Sequence, residues 1–355
     1  MQLFTKKKYT IESEFNRFFF LAVGQLFGGL VQLFAFFARK QIVCRSLIGQ
    51  NTWDTAIASD MKVHCNCMDF YGHGVLGNLR ENSLADIWNG PIANKFRQKL
   101  RNGIFPIAEC SKCSAWQMRP KKEQIRIKLP YTLMIENTYK CNYSCTSCHR
   151  IPLAKTRDGS HLNQHDIALI SKTIKENKIS NVIYHVLGEP FLVNDIDEQL
   201  AKIRSDNPQT HIFMTTNGSL LNTDRKRNAT THVNNIEFSL DGVDDKSVQK
   251  YQVGGDFKKP FANLKALVQY SKKNESKTLI GWRYIMFRWN DSPSQIKQAY
   301  ALAKEAGVSY ILFRPTNTPI TGFSIRSWYY HFFGLPLSEA IGIKKVGIGF
   351  RVPIS

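Results

Sequence analysis

No cysteine lies beyond residue 148 of this 355-residue chain, and acidic residues are scarce, 28 Asp and Glu against 48 Lys and Arg, for a net charge of +20. The acid deficit fits an anionic partner (nucleic acid, a phosphorylated substrate or an acidic membrane surface). It equally fits a generally solvated basic surface, because the basic residues are spread along the chain. No aromatic-basic recognition motif accompanies the charge, which weighs against nucleic acid. No Ser-His-Asp set and no paired carboxylates stand out. Among His149, His161, His165 and His185, His185 alternates with strand-core positions and reads as structural. No secretory signal is evident, since the apolar run near the amino terminus is long for one and no A-x-A site follows. That absence argues against a disulfide framework for the eight cysteines.

What is present is a set of thiols at short spacings: Cys44, Cys65-x-Cys67, Cys110-x2-Cys113 and Cys141-x3-Cys145-x2-Cys148. Such spacings point to metal thiolates in a reducing, cytoplasmic compartment. The chain is long enough for one large domain and a smaller one. The loop 141–148 follows a strand-like run, Tyr131 to Asn137. A [4Fe–4S] cube takes four thiolates, so three on a tight loop leave one iron open to a small molecule. Taken alone, the three thiols also suit a zinc site short of its fourth ligand.

Over residues 123–317 strands and helices alternate, the pattern of a parallel α/β sheet. Strands are predicted at Thr132–Asn137, Asn181–Val186, His211–Thr216, Asn235–Leu240, Thr278–Phe287 and Tyr310–Arg314. Helices are predicted at Gln164–Asn177, Asp195–Ser205, Phe261–Ser271 and Pro293–Ala306, while the polar stretch Asn222–Thr231 makes a poor one. Polar signals fall at strand ends: Gly188-Glu189-Pro190, Thr215-Thr216-Asn217-Gly218, Ser239-Leu240-Asp241-Gly242 and Arg288-Trp289-Asn290.

In this order, behind C-x3-C-x2-C, the motifs resemble the radical S-adenosylmethionine (SAM) superfamily. The resemblance implies an α/β fold, a partial (β/α)6 TIM-type barrel with its chemistry at the carboxyl ends of the strands. It implies that Cys141, Cys145 and Cys148 hold a [4Fe–4S] cluster whose open iron chelates SAM. Gly188, Glu189 and Pro190 would hold the SAM amino group, and Asn217 joins the pocket. Ser239 and Asp241 would hold the ribose hydroxyls, and Arg288 the carboxylate, with Arg283 as the alternative. Reductive cleavage would then give methionine and a 5′-deoxyadenosyl radical that abstracts hydrogen from a substrate. A reducing partner such as flavodoxin or ferredoxin would supply the electron. Three positions depart from the family pattern: Leu187 replaces the usual first Gly of G-G-E-P, Ser147 stands where an aromatic is frequent, and Gln252 stands where Arg is common.

Residues 41–122 read as a second cysteine domain. Ser83 is an N-cap candidate with Asp86 three residues on, and a helix from Ile92 to Leu100 stops at Arg101-Asn102-Gly103. A thiol, strand thiols, Leu76-Gly77-Asn78-Leu79, Ser83 to Gly90, an Arg-bearing helix and C-x2-C together resemble the SPASM domain of radical SAM enzymes. The resemblance implies one auxiliary [4Fe–4S] cluster on Cys44, Cys65 or Cys67, Cys110 and Cys113. Cys65 and Cys67 point to opposite faces of a strand, and that choice stays open. Here the domain precedes the radical SAM domain, whereas it usually follows. A zinc knuckle of the same thiols is the competing reading.

Residues 1–40 form a hydrophobic amino-terminal segment. Phe18 to Ala38 has only Gln25 and Gln32 as polar interruptions, long enough as a helix to cover about 30 Å. Gly24 and Gly28 form a small-x3-small pair. Basic residues on both sides leave orientation undecided; a helix lying in the interface at the inner membrane face, or a re-entrant hairpin at Gly28-Gly29, avoids the conflict, and a buried, Phe-rich packing helix is the competing reading. Residues 318–355 are an aromatic tail without a readable role. For substrate, the SPASM resemblance favours a peptide or small protein. The rivals are a sugar or envelope metabolite and, from another class, a zinc-thiolate RNA-binding protein.

Overall fold

Alternating apolar strands and amphipathic helices build two separately packed units in the computed structural model, which describes residues 26–50, 55–67, 69, 71–111 and 113–354. One unit takes the chain up to Tyr139 with His149–Gly188 and Ser205–Thr210; the other takes Lys140–Cys148, Glu189–Arg204 and the chain from His211 onward.

The first unit opens on helix α1, residues 26–37. Its buried face is Gly28, Val31 and Ala35, at the spacing of one helical stripe. A Cβ on Gly28 would lie 3.2 Å from the Phe105 ring, so the glycine eases a close approach there. The other face is exposed and apolar, with Leu26, Leu30, Leu33, Phe34 and Phe37 each more than half exposed. No described helix is long and apolar enough to cross a membrane. The first part of the predicted hydrophobic run, 18–25, and the basic residues before it lie outside the described residues.

Strand β1 (Lys40–Cys44) pairs antiparallel with β5 (Trp116–Pro120), setting Cys44 opposite Trp116. Strands β2 (Ala56–Ile57), β3 (Lys62–His64) and β4 (Val75–Asn78) form an antiparallel set. Strand β2 joins β6 (Thr132–Ile135) in parallel, and β6 joins β7 (Asn181–Ile183) in parallel. The cysteine-rich region therefore extends the sheet of the first two predicted barrel strands. Helix α2 (Leu84–Asn89) is capped by Ser83, whose hydroxyl accepts from Asp86 N at 3.1 Å, as the sequence predicts. Trp88 is fully buried and its Nε1 donates to Lys128 O at 2.8 Å. Helix α3 (Pro91–Arg101) follows. Asp166, in the first turn of α5 (Gln164–Glu176), is fully buried and accepts both prongs of Arg80, at 2.8 and 2.9 Å.

In the second unit, β8 (His211–Thr216), β9 (Asn235–Ser239), β10 (Leu279–Met286) and β11 (Tyr310–Pro315) run parallel. Strand β13 (Gly349–Pro353) adds antiparallel to β11, and β12 (Lys344–Val346) to β13. The strands form an open α/β arrangement, with no closed barrel among the described residues. One sheet face buries Phe238, Trp282, Tyr284 and Phe313 alongside α9 (Lys258–Lys273) and α10 (Pro293–Ala306). Phe261 of α9 lies 6.0 Å from the Trp282 ring centroid. The opposite face carries Thr215, Glu237, Ser239, Arg283, Tyr310 and Arg314, because the side-chain period along a strand is two. The polar stretch predicted to be a poor helix forms α7 (Asp224–Ala229), nucleated by Thr223, whose hydroxyl accepts from Lys226 N. The aromatic tail forms α11 (Ile325–Phe333) and the β12–β13 hairpin.

Candidate functional site

The loop carrying Cys141, Cys145 and Cys148 is held by its backbone. Ser144 N donates to Val253 O at 2.8 Å and Thr146 N to Tyr251 O at 3.0 Å, so residues 251–253 form its seat. Gly255 leaves room for the Tyr143 ring, which a Cβ there would meet at 2.8 Å. Burial, then the adjacent Cys148 and Cys141 sulfurs, push the Cys145 thiol well up. Three thiols crowded this way gain from a positive centre that takes the thiolate charge.

Glu189 is tied to the loop through its backbone N, which donates to Lys140 O at 2.8 Å. Its buried carboxylate accepts from Thr216 Oγ1 at 2.7 Å, Asn217 N at 2.8 Å and Phe191 N at 3.2 Å. Burial raises its pKa and these donors oppose the rise. Asn217 Nδ2 donates to Asn142 Oδ1 at 2.9 Å, and Asn142 Nδ2 to Ser219 Oγ at 2.8 Å, which fixes the end of β8 against the thiol loop. Gly188 has φ of 97°, a left-handed conformation suited to glycine. Pro190 starts a single 3-10 turn, Pro190–Leu192.

At the ends of β9 and β10, Arg283 donates a short hydrogen bond to the Ser239 hydroxyl. Its Nε is buried without a partner. Arg288 stands apart, exposed, with its backbone N donating to Gly322 O at 3.0 Å. Asp241 is buried and accepts from Ile285 N at 2.8 Å, and burial pushes its carboxyl up to about 7. Gln252 closes this corner: its Oε1 accepts from Asp241 N at 3.0 Å and its Nε2 donates to Ser239 O at 2.8 Å. Asn290 was legible in the sequence only as part of a strand end. It is fully buried and its amide bridges Asp241 O and Ile285 O, both at 3.0 Å.

The second thiol set lies wholly in the first unit. Cys44, Cys65, Cys110 and Cys113 line one cavity of about 30 Å³, with Asp69, Leu100 and Trp116 among its other walls; Cys67 does not line it. A Cβ on Gly74 would fall 2.6 Å from Cys65 Sγ, so glycine leaves the sulfur its space. Cys113 Sγ accepts from Asn66 Nδ2 at 3.1 Å and Ala115 N at 3.4 Å, the kind of N–H to sulfur contact that supports cluster thiolates. Burial, then neighbouring charge, pushes Cys65 well up and Cys110 to about 12. A single zinc ion needs thiolate sulfurs drawn to about 2.3 Å from one point. Among the described residues, no three His, Cys, Asp or Glu side chains are gathered in that way.

Two family models match stretches of this chain. The radical SAM superfamily model matches residues 135–282, and the SPASM iron–sulfur cluster-binding domain model matches residues 51–114. A protein named "Probable GTP 3',8-cyclase" from Methanocaldococcus jannaschii is 29% identical over 145 residues, which is 39% of this chain and 46% of that protein. The protein of the same name from Methanocella arvoryzae is 28% identical over 136 residues, 38% of this chain and 42% of its own length. This chain thus spans less than half the length of those relatives. Among solved structures, Streptococcus suis SuiB bound to precursor peptide SuiA aligns with TM-score 0.44 and 18% identity, covering 55% of this chain and 42% of that one.

Proposed function

We propose that the chain works as a radical SAM protein with a SPASM domain set ahead of its radical SAM domain, as the two family matches support, and that its residues divide the work as follows. Cys141, Cys145 and Cys148 hold the SAM-binding [4Fe–4S] cluster, and Cys44, Cys65, Cys110 and Cys113 hold the auxiliary one. When bound, the cluster and SAM supply a 5′-deoxyadenosyl radical that removes a hydrogen atom from the substrate. The chain itself binds and orients. The Ser239–Arg283 pair presents a hydroxyl and a guanidinium to the SAM carboxylate, which makes Arg283 the better candidate than the exposed Arg288. Asp241 offers its remaining oxygen to the ribose hydroxyls. Glu189 receives three donors, leaving one lone-pair direction for the SAM ammonium, and holds the ends of the loop and β8 in register.

The observation that carries this reading is the thiol loop seated on residues 251–253 while its flanks bond to the polar ends of the following strands. Anaerobic reconstitution tests it. About eight irons with matching sulfide are expected for two cubes, and methionine plus 5′-deoxyadenosine are expected on reduction with SAM. A colourless zinc protein that forms neither product would overturn it. The substrate is taken as a peptide or small protein on the strength of the SPASM domain. A nucleotide is the second reading, favoured by the relatives named for GTP. The auxiliary cluster held by Cys44, Cys65, Cys110 and Cys113 would supply a one-electron acceptor for an oxidative outcome, and a reducing partner such as flavodoxin or ferredoxin would supply the electron for the SAM cluster. The exposed Leu and Phe face of α1, followed by Arg39 and Lys40, supports docking on an anionic lipid surface.

A further inference from the structure

The polar face of the second unit's sheet carries an arginine, Arg314, whose guanidinium is exposed and has no protein partner among the described residues. Arg314, on the last turn-out of β11, is in strand register with Ile285, one same-face position beyond Arg283 toward the carboxyl end. Its side chain retains solvent access. Among the described residues it makes no side-chain hydrogen bond and no ion pair. The carboxylate on this face, Glu237, is buried and already accepts from the Tyr310 hydroxyl at 2.8 Å. A second arginine, Arg351, is drawn off to the Tyr310 ring, 3.7 Å from its centroid.

Charge bookkeeping on this face is therefore unbalanced. Arg283 and Arg314 repel each other, and desolvation followed by the Arg283 charge lowers the Arg314 pKa, with Glu237 opposing. SAM does not correct this: its sulfonium and ammonium outweigh its one carboxylate, which the Ser239–Arg283 pair takes. One further donor on the same face lacks a partner, the buried Arg283 Nε. Buried donors left unpaired in a native fold mark a place for an acceptor. A planar guanidinium free at a strand end matches an oxyanion through its fork.

We propose that Arg314 is the anchor for an oxyanion carried by the substrate, a phosphate or a carboxylate, so that the substrate of this site is anionic. This rests on the radical SAM reading, which places SAM beside Arg283. The test uses holoenzyme with oxidised clusters and saturating SAM, where no turnover occurs. Calorimetric titration with inorganic pyrophosphate represents the phosphate source and glutarate the carboxylate source. One of the two should bind. Arg314→Gln should weaken that binding at least tenfold, Arg314→Lys should restore part of it, and SAM affinity should stay unchanged in both. The proposal is overturned if neither anion binds, if Arg314→Gln binds as tightly as the native protein, or if Arg314→Gln loses SAM. Failure of the radical SAM reading is seen separately, as absent SAM binding and no methionine release.

Discussion

Gln252 has a positioning role that its amide alone explains. Where the family commonly has arginine, its amide both donates to Ser239 O and accepts from Asp241 N, tying together the two polar positions of the β9 end. Gln252→Leu keeps the volume but leaves two backbone groups unpaired, and should cost about 2 kcal/mol of stability, read by denaturant unfolding. It should also weaken SAM binding; an unchanged SAM affinity would show that the corner is not needed for the pocket. Asp241 supplies a pH signature. Burial raises its folded-state carboxyl from the ordinary 3.8 to about 7. A raised carboxyl favours the protonated folded state, so its contribution is complete below about pH 4 and is lost as pH rises through about 7. In SAM-free protein, Asp241→Asn should therefore gain thermal stability relative to the native chain as pH climbs from 4 to 7, and the difference should then level off. A difference that does not move with pH would mean the Asp241 carboxyl titrates normally.

Most elements were legible because their signals are local. The β-branched and aromatic runs at 211–216, 235–239 and 310–315 and the capped, periodic helices at 164–176 and 293–306 carry their own boundaries. What escaped depends on distant partners. Residues 349–353 become a strand only because β11 offers an unpaired edge, and α7 forms on its Thr223 cap despite a polar composition. The thiols behave likewise: spacing grouped them, but only the fold separates Cys65, which faces the cavity, from Cys67, which does not. The Arg80–Asp166 pair was equally unreadable, since it joins residues 86 apart. Arg80→Ala should remove about 2 kcal/mol, because it strips a buried carboxylate of its bidentate partner; Asp166→Asn in the same background should recover part of that loss. For α1, replacing Phe34 and Phe37 with Ser should abolish flotation with vesicles containing anionic lipid while leaving the melting temperature within a few degrees. Flotation that persists would assign the interaction elsewhere.

At the scale of the whole molecule, the two thiol sets fall in different packed units: the 141–148 loop in one, and Cys44, Cys65, Cys110 and Cys113 in the other. Neither set borrows a thiol from the other unit, so each proposed cluster should load without the other's thiols. This separates two roles that activity alone confounds. Replacing Cys141, Cys145 and Cys148 with Ala should leave about four irons per chain, a cube on the auxiliary thiols, with SAM binding and cleavage both gone. Cys65→Ser should also fall to about four irons, yet still release methionine from SAM on reduction, because the loop and the strand ends proposed to bind SAM are untouched. Cys67→Ser should keep the full iron content. Iron and sulfide analysis with anaerobic SAM cleavage reads all three. If Cys65→Ser loses SAM cleavage together with its iron, the two clusters are coupled in assembly and the thiol sets cannot be treated as independent sites. If Cys67→Ser is the variant that loses iron, Cys67 rather than Cys65 is the fourth ligand, and the cavity lining does not identify the ligand set.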